Sequence, residues 1–202
     1  MAVVEFRGTR GVVFAKITKD DSTEYTTGEV KVLAPVAEIS KTVETSSDTR
    51  YYDNKAAVTI DSEGADTVTL TLALPTDAVL AEICGRVYDS TKKQFIECER
   101  SNDYFALGYI LGETDGSERY VWRFKGTFQI PDETSATKDN GTDANNISLV
   151  FTGIYTDHEF ANGKGTGNKG SAKAMFMRTG DIAEATYFAA VFTPDSTIPA
   201  GG

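Results

Sequence analysis

Apolar and polar residues alternate over several segments of this chain, and this alternation restricts the fold more than any other feature of the sequence. The clearest case is TVTLTLAL (67–74), in which threonine alternates with valine and leucine. A period of two places successive side chains on opposite faces of a strand, so one face is apolar and the other polar. Strand-like runs also occupy residues 11–18, 28–45, 55–61, 119–131 and 145–156. The chain is therefore predicted to be mainly β.

A long alternating run, RYVWRFKGTFQIP (119–131), has two very different faces. One face is aromatic, with Tyr120, Trp122, Phe124 and Phe128. The other is mostly polar and cationic, with Val121, Arg123, Lys125, Thr127 and Gln129. We expect the aromatic face to pack under a helix as core. The run belongs to a predicted hairpin whose tight type I′ turn is Asp115–Gly116.

Two helices are predicted among the strands. Pro75 and Thr76 begin PTDAVLAEICG, in which Thr76 is a suitable N-cap and Gly85 a suitable helix terminator. Its apolar stripe is formed by Val79, Leu80, Ile83 and Cys84. Near the end of the chain, Asp181 and Glu184 have the spacing of a capping box, which predicts a short second helix. SAKAMFMR (171–178) is predicted to be a strand.

The length of 202 residues indicates one domain, residues 1–202. Within it we expect an N-terminal arm (1–9) and a C-terminal arm (193–202). Residues 131–144 and 158–170 have no apolar period and many turn-forming residues, so they are predicted to be flexible loops.

The chain is acidic, with 30 Asp and Glu against 20 Lys and Arg. This balance argues against tight binding to nucleic acid, because affinity for phosphates comes from Lys and Arg. No apolar run reaches the length of about 18 residues that a membrane span requires, so we expect no membrane partner. Cys84 and Cys98 are expected to remain reduced.

Motifs for catalysis or cofactor binding are weak. His158 is the only histidine and adjoins a glycine-rich loop, whereas catalysis needs a rigidly held imidazole. GTGNKG (165–170) matches a dinucleotide-binding pattern formally but lacks the strand before it and the helix after it. We therefore predict that the chain is not an enzyme and has no metal, catalytic or cofactor site.

The hairpin region carries a family resemblance. Residues 103–155 read DYFALGYILGETDGSERYVWRFKGTFQIPDETSATKDNGTDANNISLVFTGIY. This stretch resembles the signature region of major tail proteins, the tail tube proteins, of long non-contractile-tailed bacteriophages. TRYYDNKA (49–56) and LPTDAVLAEICGRVYD (74–89) are similar to earlier parts of that family. The resemblance covers about residues 10–156, and the loop at 158–170 departs from the family pattern.

The resemblance implies a tail-tube-type β-sandwich or barrel with one packed α-helix, to which the residue patterns add a short C-terminal helix and long loops. Such proteins assemble with copies of themselves into stacked rings, hexameric in the family, that form a virion tail tube. Implied partners are the tape measure protein, tail terminator and tail-tip proteins, and DNA that passes during ejection without specific binding. The subunit would be made in the bacterial host cytoplasm. A negative, hydroxyl-lined wall would let DNA slide because it repels phosphates.

The resemblance also suggests positions for the surfaces of a tube. Candidates for the lumen lining are Glu38, Ser40, Thr42 and Glu44, with Thr67, Thr69 and Thr71 as the alternative face. Candidates for contacts between rings or subunits are Asp48, Arg50, Tyr51, Tyr52, Asp53, Arg123 and Lys125. For Arg123 and Lys125 we expect carboxylate partners on a neighbouring subunit, or else a solvated strand face. A plain surface loop is the alternative for residues 48–53.

A second hypothesis is a monomeric β-sandwich binding module for a carbohydrate or receptor on a virion or cell surface. Such a module exposes a cluster of aromatic side chains in a groove and remains monomeric at high concentration. A tube protein instead forms rings or filaments of uniform width. An enzyme on a β scaffold is the third hypothesis, and no motif favours it.

Overall fold

The computed structural model describes residues 3–132 and 146–198, and it is built mainly of antiparallel strands. The strands are β1 (Phe6–Asp20), β2 (Tyr25–Thr27), β3 (Lys31–Val32), β4 (Val36–Tyr52), β5 (Lys55–Leu72), β6 (Val87–Asp89), β7 (Gln94–Ile96), β8 (Phe105–Glu113), β9 (Glu118–Phe128), β10 (Ile147–Ile154) and β11 (Ala174–Arg178). The helices are α1 (Asp77–Ile83) and α2 (Glu184–Tyr187). The prediction of a mainly-β chain with two helices is confirmed.

One sheet carries most of the strands, in the order β2-β1-β8-β9-β10-β5-β4. β3 pairs with β1, β11 pairs with β9, and β6 and β7 form a separate hairpin. β4 returns to lie beside β1, but among the described residues no ladder of backbone hydrogen bonds joins the two strands. The sheet is therefore curled into a barrel that stays open at a seam between β1 and β4.

The first hydrophobic core fills the inside of this barrel. Its fully buried members include Val12, Phe14, Val68, Leu70, Leu72, Phe105, Leu107, Phe128, Leu149 and Phe151. Helix α1 contacts this core through Ile83 and Cys84. The Thr76 hydroxyl accepts the Val79 backbone N–H at 3.5 Å, as predicted for the N-cap. Gly85, with φ of +65°, ends the helix where a Cβ would lie 2.2 Å from the Ser101 carbonyl oxygen.

A second core lies on the opposite face of β8 and β9. Its members from the sheet are Ala15, Ala106, Ile110, Tyr120, Trp122 and Phe124. The chain after residue 158 covers them with Phe160, Ala172, Ile182, Tyr187, Val191 and Phe192. The Trp122 indole N–H donates to the Tyr187 carbonyl oxygen at 3.0 Å, which satisfies its one buried donor. Both faces of β9 are consequently buried.

A β-bulge in β9 divides the aromatic residues of this strand between the two cores. Phe105 pairs with Gly126 and Leu107 with Arg123, so β9 has one residue more than β8 over this stretch. The extra residue reverses the alternation, and Phe128 reaches the first core while Trp122 and Phe124 lie in the second. The expectation that all these rings pack under one helix is therefore wrong.

The N-terminal arm and the N-cap of helix α2 differ from the prediction, whereas the two loops and the C-terminal arm stay predictions. Residues 6–9 of the predicted N-terminal arm belong to β1, where Thr9 pairs with Leu111 of β8. The predicted loop 158–170 contributes the buried Phe160, and Asp195 of the predicted C-terminal arm accepts the N–H groups of residues 161 and 162. Of the loop 131–144, residues 133–144 lie outside the described residues. Helix α2 begins at Glu184 with Ala183 as N-cap, so Asp181 does not cap it.

The tight two-residue turn occurs in a different hairpin from the predicted one. At residues 115–116 only Gly116 has positive φ, and residues 114–117 all lie between the strands. Asp53 and Asn54 have φ of 50° and 61°, and Tyr52 pairs with Lys55 across them. These values are those of a type I′ turn, which matches the twist of the long β4–β5 hairpin.

Candidate assembly surfaces

The outer face of β4, β5 and β10 forms a continuous polar surface. Residues opposite each other on antiparallel strands project to the same side of a sheet. The three cross-strand rows on this surface are Glu38, Thr71 and Ser148; Ser40, Thr69 and Val150; and Thr42, Thr67, Thr152 and Thr127. The two sets of lumen candidates, which the sequence offered as alternatives, thus lie on one face. The structure adds Ser148, Thr152 and Thr127 to them, and none of these rows contains a lysine or arginine.

Glu44 lies at the edge of this polar face, where the pairing of β4 with β5 shifts register. A Cβ built on Gly64 would lie 2.8 Å from a carboxylate oxygen of Glu44, so the acid packs against bare glycine backbone. Glu38, Ser40, Thr42 and Glu44 are all exposed. The structure places them together on one exposed side of β4.

Beyond this point the β4–β5 hairpin leaves the body, and we call residues 45–63 the hairpin extension. Pairing of β5 with β10 stops at Asp66, so the extension pairs only with itself. All its side chains are exposed except Thr49, which is half-buried. About eight residue pairs at about 3.3 Å per residue give a projection of roughly 25 Å. A two-stranded hairpin of this kind is marginally stable in water by itself.

The predicted contact residues Asp48, Arg50, Tyr51, Tyr52 and Asp53 occupy the outer half of the extension. Tyr51 and Tyr52 are 67% and 62% exposed, and Val58 and Ile60 on the opposing strand are 47% and 51% exposed. The alternative of a plain surface loop is not what the structure shows, because these residues form a paired hairpin. The apolar contribution of Val58 and Ile60 was not predicted from the sequence.

Arg123 and Lys125 are placed differently from the prediction, because both are 4% exposed. Arg123 forms an ion pair with Asp66 and donates from Nε to the Tyr109 hydroxyl at 3.2 Å. Lys173 also contacts Asp66, at 3.2 Å. Burial by itself would raise the pKa of Asp66, but Arg123 and Lys173 outweigh it and the pKa is lowered.

Lys125 lies in a second internal ion cluster. Its Nζ is 2.7 Å from Asp20 and 2.6 Å from Asp157. Asp20 also accepts the backbone N–H groups of Asp157 and His158, at 3.0 and 2.8 Å. Burial favours a raised pKa for Asp20, yet these bonds to its ionised form lower the pKa. The carboxylate partners of both cations thus belong to the same chain, which corrects the expectation of partners on a neighbouring subunit or of a solvated face.

The open seam of the barrel forms a groove of about 1080 Å³. One wall contains Phe6, Gly8 and Thr9 of β1, and the other contains Ala37, Ile39 and Lys41 of β4. Arg119 lies between the rings of Phe6 and Phe176, at 4.9 and 4.5 Å from their centroids. Phe6 and Phe176 are both exposed. The groove therefore combines exposed aromatic rings with a cation.

Chemical groups for catalysis are sparse in the described part of the chain. Within residues 3–132 and 146–198, no three His, Cys, Asp or Glu side chains are grouped as a metal site. The His158 ring packs edge-on against Phe160, and its Nδ1 is 3.2 Å from the Asp21 carbonyl oxygen. Cys84 and Cys98 are free thiols. Neither described helix has the length and apolar character needed to cross a bilayer.

No protein-family model matches the chain, and no curated protein matches it.

Proposed function

We propose that this chain is a structural subunit that assembles with copies of itself into stacked rings, forming a bacteriophage tail tube through which DNA is ejected. The observation that carries the proposal is the hairpin extension. It exposes Tyr51, Tyr52, Val58 and Ile60 on a hairpin that contacts little of its own body. Tyrosine is enriched in protein interfaces, and an unsupported hairpin gains stability when a neighbour covers it.

The open seam supports the same proposal. β4 has one edge without a strand partner among the described residues, and unpaired edges bind further strands unless they are protected. Closed rings of identical subunits remove such edges. A neighbouring copy that pairs with β4 would extend the sheet from one subunit into the next.

The polar face supports a position at the lumen. It presents two carboxylates and many hydroxyl groups across four adjacent strands, with no cation in its cross-strand rows. Such a wall would repel DNA phosphates, so no counterions would be released and no adhesion would result. The tape measure protein would occupy the same lumen before ejection, and terminator and tip proteins would bind the two ends of the tube.

Electron microscopy of the concentrated purified chain tests assembly. We expect rings or filaments of uniform width for the wild type, and we expect none for a variant with Tyr51→Ser and Tyr52→Ser. A matched control is Tyr104→Ser, which removes an exposed tyrosine from the body. Wild-type protein that sediments as a monomer at every concentration, alone and with purified tail-tip complex, would contradict the proposal.

The position of the lumen is tested by charge reversal. We expect phage carrying Glu38→Lys and Glu44→Lys to build tails of normal length but to eject DNA poorly, because a cationic wall binds phosphates. The control makes the same charge change at the exposed Glu97 and Glu99 after β7. Normal ejection by the first variant would place the polar face outside the lumen.

A second candidate function is a monomeric module that binds a carbohydrate or receptor, and the seam groove is the observation in its favour. Exposed aromatic rings beside polar groups are typical of such sites. This function predicts a monomer that binds an oligosaccharide or a receptor and loses binding when Phe176 is replaced by Ser. The tube proposal predicts no such ligand.

A further inference from the structure

We propose that Lys173 sets the direction in which the hairpin extension leaves the body, and that this direction controls assembly; the second part rests on the proposed function. Lys173 is therefore a positioning residue, acting through the root of the extension and not through contact with a neighbouring copy. The root comprises Glu44 on β4 and residues 63–66 on β5.

The root is a bend. Val43 pairs with Asp66 and Thr45 with Glu63, so β5 has one residue more than β4 between these pairs. Such a bulge bends the strand and interrupts the backbone hydrogen bonds between β4 and β5 locally. Gly64 lies in the bulge, and the Glu44 side chain packs where a Cβ would otherwise lie. The direction of the extension is consequently determined at a few residues.

Lys173 binds three acceptors at this bend. Its Nζ contacts the Glu63 carboxylate and donates to the Gly64 carbonyl oxygen at 2.8 Å and to Asp66 Oδ1 at 3.2 Å. The Lys173 backbone is anchored as well, because its carbonyl oxygen accepts the Phe124 N–H at 2.9 Å. One residue thus connects the bend in β5 to the central strand β9.

No other side chain of the described body bonds to the extension. Hydrogen bonds and ion pairs of residues 45–63 otherwise join its own two strands, as between Ser46 and Ser62, or neighbours in sequence, as between Asp48 and Arg50. Lys173 is 8% exposed and its Nζ lies 4.8 Å from the centroid of the Tyr155 ring. The Lys173 and Asp66 side chains are 7% and 6% exposed, so water screens the attraction between these two charges only weakly.

Loss of Lys173 would free the bend without opening the core. Asp66 would keep its ion pair with Arg123, and Glu63, whose side chain is about half exposed, would be hydrated. The extension would then swing about the bulge. Copies whose extensions point in different directions bury less surface together, so assembly would slow while the subunit stayed folded.

The test compares Lys173→Met with the wild type, with Lys31→Met as the control. Lys31 forms an exposed ion pair with Glu82, so its removal makes the same charge change far from the bend. We expect amide hydrogen exchange at residues 44–46 and 62–65 to become about tenfold faster in Lys173→Met, as expected for the loss of one charge-assisted hydrogen bond. Tube yield at a fixed concentration should fall, whereas Lys31→Met should match the wild type.

Two further variants keep the test decisive. Lys173→Arg should restore most of the protection, because a guanidinium can still donate to two carboxylates. Glu63→Gln leaves the hydrogen bond from Lys173 to Asp66 intact. Its amide exchange at the bend should be faster than in the wild type but less than tenfold faster, and this can be measured even if Lys173→Met fails to fold. Unchanged exchange in Lys173→Met or Glu63→Gln would overturn the inference. Wild-type protein that forms no tubes would overturn the proposed function instead, and the exchange data would still test the bend.

Discussion

β9 and the hairpin extension are both antiparallel β structure, but their surroundings are opposite. Trp122 and Phe124 of β9 are fully buried, while Tyr51 and Tyr52 of the extension are mostly exposed. β9 has neighbours along both edges and hydrophobic cores on both faces. The extension has one neighbouring strand and no core. The comparison teaches that strand pattern and strand burial are separate properties, because burial depends on what the rest of the chain brings to each face.

The comparison also separates two sources of stability. Burial of its large side chains stabilises β9, because each side chain gains free energy from transfer out of water and from dense packing. The extension depends on its own ladder, its type I′ turn and the contact at its root. Its remaining surface is exposed to solvent. Substitutions in β9 should therefore lower the free energy of unfolding more than substitutions in the hairpin extension.

The largest expected effect is that of Trp122→Ala. Its removal leaves a cavity in the second core and the Tyr187 carbonyl oxygen without its indole donor. We expect the free energy of unfolding to fall by about 3–5 kcal/mol, measured by denaturant titration. The matched change in the extension, Ile60→Ala, should alter it by about 0.5 kcal/mol or less. Equal losses of unfolding free energy in Trp122→Ala and Ile60→Ala would contradict the expected difference between β9 and the extension.

Arg123→Met should have the next largest effect, about 3 kcal/mol, because it removes one partner of a buried ion pair. Lys173 still contacts Asp66, so the carboxylate is not left entirely unpaired. The same substitution at Arg50, whose ion pair with Asp48 is exposed, should cause no measurable change in unfolding. A small loss at Arg123 would show that the buried network contributes little.

Acid should destabilise the body through Asp20 and Asp66. Their pKa values in the folded chain are lowered, so their stabilisation is complete above the unfolded value of about 3.9 and is lost as the pH falls through the folded values. Urea unfolding between about pH 2 and 7 should show this loss below about pH 4. Asp20→Asn should flatten the acid limb, and an unchanged limb would contradict the assignment.

A small effect on stability is also expected for Tyr51→Ser combined with Tyr52→Ser. These side chains are exposed, so the free energy of unfolding should change by about 0.5 kcal/mol or less. The same variant should lose tube formation. Strong destabilisation of this variant would indicate that Tyr51 and Tyr52 stabilise the body itself. The two tyrosines would then belong energetically to the body and not to the extension alone.

Local features of the fold could be predicted from the sequence because their causes are local. The alternation in residues 67–72 places Val68, Leu70 and Leu72 in the core, and Thr76 and Gly85 bound helix α1. Strand β11 was likewise predictable from SAKAMFMR. The pair Asp53–Asn54 is also a local turn signal, although no turn was predicted there.

The missed features depend on contacts between distant residues. No local pattern shows that β9 contains a bulge, because the bulge is defined by its pairing with β8. Burial of Arg123 and Lys125 required Asp66, Asp20 and Asp157, which are far away in the sequence. Lys173 gave no signal beyond a lysine within an apolar segment. Its role became visible only when the bend in β5 was located beside it.

Side-chain period, capping residues and turn residues act over a few positions, so the strands and the capped helix follow from short stretches of sequence. Three other features depend on the whole fold: β9 is covered on both faces, the barrel stays open beside β4, and the hairpin extension projects from the body. These features depend on the register between strands and on contacts between segments that are distant in the sequence. A period of two is the same whether one face of a strand is covered, both are or neither is.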